Sequence, residues 1–179
     1  MADDENFLAL VRDQVRHGLT TAQQYLAAAV YFDTERLPEL AAQAYAHSHD
    51  NHGHAMRMVQ YLLDRDARVS IGGLDEIRSE FGSPRDAIAF LLEREQRTAD
   101  QISALAAAAR DCDDYLGEQF TQWFLKEQVG DIAEMSTLLA VLDRQGNLFD
   151  VEEFVRRELT RAVSADNTAP RMAGQVRKY

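Results

Sequence analysis

The chain has 179 residues, 46% of them apolar and 27% charged, so it is long enough for one core and too apolar to stay disordered. Thirty Asp and Glu against nineteen Lys and Arg give a net charge of −11, which repels a phosphate backbone and favours cations as small partners. Nine Gly, three Pro and a surplus of Ala, Leu, Glu, Gln and Arg over β-branched residues favour helix and exclude a sandwich or barrel.

In chain order, Phe7, Leu8, Val11, Val15, Leu19, Ala22 and Leu26 recur at helical spacing and predict a first helix over 5–33. Residues 33–38 form a turn, with Pro38 suited to the first turn of a second helix that runs to about 66. A connection from 67 to 83 follows, containing Gly72, Gly73 and Gly82. Ser83-Pro84-Arg85-Asp86 has the cap, first-turn Pro and first-turn acid of a helix start, predicting a third helix to about 110. Asp111, Cys112, Asp113 and Asp114 break it and cap a fourth, which ends near Arg144-Gln145-Gly146 with Gly146 as C-cap. Asn147 starts a short fifth helix to about 162. Residues 1–163 thus read as one domain and 164–179 as a flexible C-terminal tail.

Four helices of roughly 25–30 residues are each about 40 Å long. The first and third links are short and imply antiparallel hairpins. The middle link of about 17 residues can run the length of the bundle and lets helices two and three lie parallel. This predicts an all-α four-helix bundle with one long crossover and a short fifth helix.

The lone Cys112 excludes an intramolecular disulfide and a Cys-rich zinc site. The acidic start is unlike a secretory leader, and no stretch has the ~20 uninterrupted apolar residues of a membrane span. A cytoplasmic protein with neither membrane nor nucleic-acid partner is the expectation. Gly72-Gly73 follows no strand, so a dinucleotide loop fails its context, and no nucleophilic triad can be assembled.

Several strings, in order, resemble a bacterial ferritin of the non-haem, 24-subunit type. They are residues 20–25 (Thr-Thr-Ala-Gln-Gln-Tyr), 29–33, 54–56 (His-Ala-Met), 62–66, 116–120, 122–125, Glu127-Gln128 and 147–149. The resemblance covers about 5–160 and implies a hollow homo-oligomer, a 24-mer, that stores iron and oxidises Fe(II) at a di-iron centre inside each bundle. A mixed shell built with an active ferritin subunit is a further implied arrangement.

The family pattern places Glu on helix one, Glu-x-x-His on helix two, Glu on helix three and Gln-x-x-Glu on helix four. This chain has Gly18, then Asn51 with His54, then Glu95, then Gln128 with Asp131. Tyr25 matches the family's supporting tyrosine. Asp50 and Glu127 match two ligands of a peripheral third iron site, whose remaining position here is Gly130. Only Glu95 and Asp131 remain as site carboxylates against the four charges of two Fe(II) ions, and the segment from Gln14 to Phe32 holds no acid that could replace the helix-one ligand. The implied outcome is an iron-storage subunit with an impaired or absent ferroxidase step. A single ion on His54, Glu95, Asp131 and Gln128 stays open.

Two alternatives also stay open. One is a rebuilt ferroxidase in which His47 or His17 replaces lost carboxylates, since His47, Asp50, Asn51 and His54 share a broad helical face. The other is a ferritin-fold interaction protein without iron, with the histidines at an interface. His52 stands where haem-binding relatives carry the haem-gripping Met, yet the other strings resemble the non-haem type, so haem is not expected.

Overall fold

The computed structural model describes residues 2–144, 147–159, 166 and 168–175. It contains α1 (Ala2–Thr34), α2 (Pro38–Asp64), α3 (Pro84–Asp111), α4 (Tyr115–Arg144) and α5 (Leu148–Phe154), the last continuing as a π turn, Val155–Leu159. The helix starts carry the caps expected of them. The Ser83 hydroxyl accepts from Asp86 N at 3.1 Å, Asp114 from Gly117 N at 2.8 Å and Asn147 from Phe149 N at 2.9 Å. Cys112 is the C-cap of α3. The predicted Gly146 cap lies outside the described residues.

α2 ends two residues earlier than predicted. Arg65 N and Asp66 N reach back only three residues, to Leu62 and Leu63 carbonyls, and Asp66 takes a φ of 54°. The other end of α2 lacks a cap of its own, because Leu37 has no side-chain acceptor. Glu152 of α5 supplies it from 113 residues away in sequence: its carboxylate accepts from Glu39 N at 2.7 Å and Leu40 N at 3.0 Å.

The crossover declares the topology. Arg12 donates to the Arg68 carbonyl, Asp75 N to the Thr20 hydroxyl, and Arg78 N to the Gln24 side chain. Both sequences rise together, so the link runs parallel to α1. Cross-bundle pairs such as Tyr25–Glu95, Tyr31–Phe81, Arg65–Asp114 and Arg85–Asp143 then set α2 and α3 parallel and α1 and α4 opposed to them.

The core is two apolar clusters. One holds Tyr25, Phe32, Leu40, Ile88, Leu91, Leu138 and Val151. The other holds Phe7, Val11, Met58, Leu62, Ile102, Leu105 and Phe124. Burying each large side chain is worth roughly 1.5–3 kcal/mol. In the second cluster Gly117 permits close approach, because a Cβ there would come within 2.8 Å of the Phe7 ring.

The tail differs from expectation in its described part. Residues 166 and 168–175 lie against α2 and α4 rather than hanging free. Trp123 Nε1 donates to Asp166 at 2.9 Å, Ala173 N donates to the Met56 carbonyl at 3.0 Å, Arg171 pairs with Asp64 at 2.9 Å, and the Met172 sulfur sits over Gly53. A long peptide ordered this way needs side-chain anchors as well as backbone bonds, and these are drawn from residues far apart in sequence. No helix among the described residues is long and apolar enough to cross a membrane.

Candidate metal centre

Between the two apolar clusters lies a belt of buried polar side chains. Gln14, His47, Asn51, Glu95, Gln128 and Asp131 are each at most 7% exposed, and Tyr25 is fully buried beside them. Helical periodicity brings them inward: 47 and 51 are one turn apart on α2, and 128 and 131 are three residues apart on α4.

Glu95 is the hub. It accepts from the Tyr25 hydroxyl at 2.5 Å and from the Gln128 amide, which also reaches the Glu95 backbone carbonyl at 3.2 Å. Burial, then the neighbouring Asp131 charge, push the Glu95 carboxyl above its ordinary range; the donors Tyr25 and Gln128 only partly offset this. Burial, followed by Glu95, holds the Tyr25 phenol well above its usual value, so it stays a donor.

His47 stacks on Tyr25 with ring centroids 4.9 Å apart, places Nε2 2.9 Å from a Glu134 carboxylate oxygen and Nδ1 3.8 Å from Asp131. Glu134 is the member of this cluster that sequence reasoning missed. Its signal was the run Gln128, Asp131, Glu134 at threefold spacing on one helix face.

The expected substitute face of His47, Asp50 and His54 is split by the fold. His47 turns to α4. His54 instead meets Trp123 and Phe124 edge-on at 5.4 and 5.7 Å, and burial lowers its pKa, favouring the neutral ring. Asp50 is half-buried and, like Glu127, acts electrostatically on Arg57. Asn51 spends its amide on the His47 carbonyl of its own helix at 3.0 Å. His17 contacts Arg16 at 3.0 Å and Gln14 at 3.4 Å.

Gly18 and Asn51, the two positions lacking the expected carboxylates, border one small cavity of about 20 Å³ with Gln14, His54, Met58 and Gln128. That is room for about one water. Gly18 also draws α1 toward α2, because a Cβ there would stand 3.2 Å from Ala55 Cβ.

Whether these residues fit an iron ion can be judged from their grouping. Among the described residues, no three His, Cys, Asp or Glu side chains are placed so as to hold one metal. The anticipated His54, Glu95, Asp131 and Gln128 set is divided: Glu95 with Gln128 and Tyr25, Asp131 with His47 and Glu134, His54 with aromatic rings. Gly18 and Asn51 offer no carboxylate, and Glu95 meets donors from Tyr25 and Gln128.

Residues 8–145 match the family model described as a ferritin-like domain. The chain is 53% identical over 172 residues to ferritin BfrB of Mycolicibacterium smegmatis, covering 96% of this chain and 94% of that one. It is 50% identical to ferritin BfrB of Mycobacterium tuberculosis, covering 94% and 93%. A bacterial non-heme ferritin of Staphylococcus aureus is 28% identical over 80% of this chain and 86% of its own. Among solved structures, an open-pore ferritin from Archaeoglobus fulgidus superposes with a TM-score of 0.81 at 26% identity, covering 87% of this chain and 98% of that one.

Proposed function

Because the chain belongs to the ferritin family, and its bundle centre is closed on itself, we propose that it is an iron-storage shell subunit that has lost the two-iron oxidation step. Iron is here the cargo, and Fe(II) the substrate that an intact centre would oxidise. One observation carries the reading. Glu95 is committed to the Tyr25 and Gln128 donors, and Gly18 and Asn51 border a cavity with room for about one water.

An incoming Fe(II) would have to break the Glu95 bonds to Tyr25 and Gln128. It would then find a carboxyl biased toward its neutral form and a His54 ring packed edge-on against Trp123 and Phe124. A hard-to-borderline cation prefers ionised oxygen donors, so this environment returns little for its lost hydration. Storage does not need this centre, since a strongly acidic shell attracts cations and can hold ferric mineral that forms slowly.

The shell is a 24-mer in this reading, located in the cytoplasm and built of one subunit type or mixed with an active ferritin. The rebuilt-centre alternative would draw on His47 beside Glu134 and Asp131, a grouping that as it stands does not hold a metal.

The experiment is Fe(II) addition to metal-free protein under oxygen, following ferric absorbance against a protein-free control. The expected result is no fast phase, with the iron kept soluble. A saturable fast phase of two irons per subunit, abolished by His47→Ala, would replace this reading by the rebuilt centre. Loss of iron as precipitate would remove the storage function.

A further inference from the structure

A second cavity lies beside the buried centre, where α1, the crossover and α3 meet. It measures about 110 Å³ and is lined by His17 and Thr21 of α1, Asp75 of the crossover, and Arg94, Arg97, Thr98 and Gln101 of α3. In a chain of net charge −11, a recess with two guanidinium groups is exceptional. Spacing explains it: positions 94, 97, 98 and 101 fall on one stripe of α3, and 17 and 21 are one turn apart on α1.

The charges around it can be assigned in turn. Asp75 takes the Arg16 guanidinium, and Glu93 takes Arg97 in an exposed pair at 3.2 Å that is weak in water. No carboxylate among the described residues forms an ion pair with Arg94. Partial burial, followed by Arg97, disfavours its charge, while Asp75, Glu95 and Glu93 only partly offset this. His17 is already engaged by Arg16 and Gln14 and serves as wall. Thr98 donates to the Arg94 carbonyl.

Two neutral polar side chains, Thr21 and Gln101, complete the lining.

From this geometry we infer that the recess between α1, α3 and the crossover is a binding site for a tetrahedral oxyanion, a free phosphate or the phosphate group of a small phosphomonoester. Arg94 and Arg97 supply charge-assisted donors, Thr21 and Gln101 supply neutral ones, and the paired Asp75 closes the outer rim. The volume admits an ion of several heavy atoms with some of its water. The same cations would turn away Fe(II) approaching by this route, yet the inference stands whether or not the bundle centre oxidises iron.

The test is calorimetric titration of the assembled, iron-free protein at low ionic strength with inorganic phosphate and, separately, with glycerol 1-phosphate. The expected result is one saturable site per subunit for at least one ligand, weakened by added salt. Binding of inorganic phosphate identifies the free ion as the ligand, and binding of the ester alone identifies a phosphorylated molecule. Arg94→Gln is expected to weaken binding at least about tenfold, and the isosteric Thr21→Val several-fold, with assembly size and helicity unchanged. Arg110→Gln, whose partner is Glu118 at the far end of α3, is expected to bind as the parent does. Absence of saturable binding by either ligand, or binding that survives both Arg94→Gln and Thr21→Val undiminished, overturns the assignment.

Discussion

Restoring the missing carboxylates is the sharpest perturbation, and the structure sets its size. In the Gly18→Glu, Asn51→Glu double variant, both new side chains face the cavity that already holds His54 and Gln128. The first must displace little. Its Cβ would meet Ala55 Cβ at 3.2 Å, so α1 and α2 need to yield by a few tenths of an ångström, while losing a helical glycine returns roughly 0.5–1 kcal/mol.

The larger effect is charge. Two ionised carboxylates about 6 Å apart at an effective dielectric near 20 repel by about 3 kcal/mol. The Asp131 charge already disfavours ionisation of Glu95. The metal-free variant is therefore expected to melt about 6–12 °C below the parent. A divalent cation supplies the missing positive charge. At about 100 times its dissociation constant it returns roughly 2.7 kcal/mol, most of the loss. The assay is thermal unfolding of both proteins with and without Zn(II), followed by ferric absorbance after Fe(II) addition. The variant is expected to be rescued by Zn(II) and to gain a fast phase of two irons per subunit; the parent is expected to show neither. A variant that folds, binds Zn(II) and still oxidises no faster than the parent would refute the argument that these two positions carry the loss.

Two further predictions rest on other parts of the molecule. His47→Ala removes a fully buried ring stacked on Tyr25 and its 2.9 Å contact to Glu134, so it is expected to destabilise the protein by about 2–4 kcal/mol, read as a thermal midpoint lowered by roughly 5–15 °C; a change below 2 °C would show that the cluster is not a structural anchor. The Thr168 hydroxyl, then the Trp123 indole N–H and the Thr168 amide, hold the Asp166 carboxyl down at about 2. A depressed carboxyl gives its contribution above the ordinary 3.8 and loses it as pH falls through about 2. Trp123 is the only tryptophan, so at pH 8, where its neighbour His54 is neutral, its fluorescence is expected to change in Asp166→Asn. An unchanged spectrum in that variant would show the tail anchor to be absent in solution.

The polar belt shows where sequence reasoning was sufficient and where it stopped. Glu95, Gln128, Asp131 and Asn51, which the family resemblance marked out, are buried side by side in the bundle. Asp50 and Glu127, marked out by the same resemblance for a peripheral site, are half-buried. What the resemblance could not supply was side-chain direction. His47 and His54 share a helical face, yet one turns to Tyr25 and Glu134 and the other to Trp123 and Phe124, because the partner helices present carboxylates to one and rings to the other. Glu134 escaped notice because an acid on a long amphipathic helix looks like any solvated charge until α2 is laid against it.

Length, apolar period and caps are properties of neighbouring residues, so the four long helices, their short and long links, the acidic balance and the absence of carboxylates at Gly18 and Asn51 were all set by the sequence alone. The pairings that depend on residues far apart belong to the tertiary structure. These are Glu152 capping α2, residues 168–175 laid on α2 and α4, Glu95 closed by Tyr25 and Gln128, and the recess between α1, the crossover and α3. Each joins groups separated by tens of residues, and local propensity carries no information about which of them will meet until packing has fixed the distance between helices.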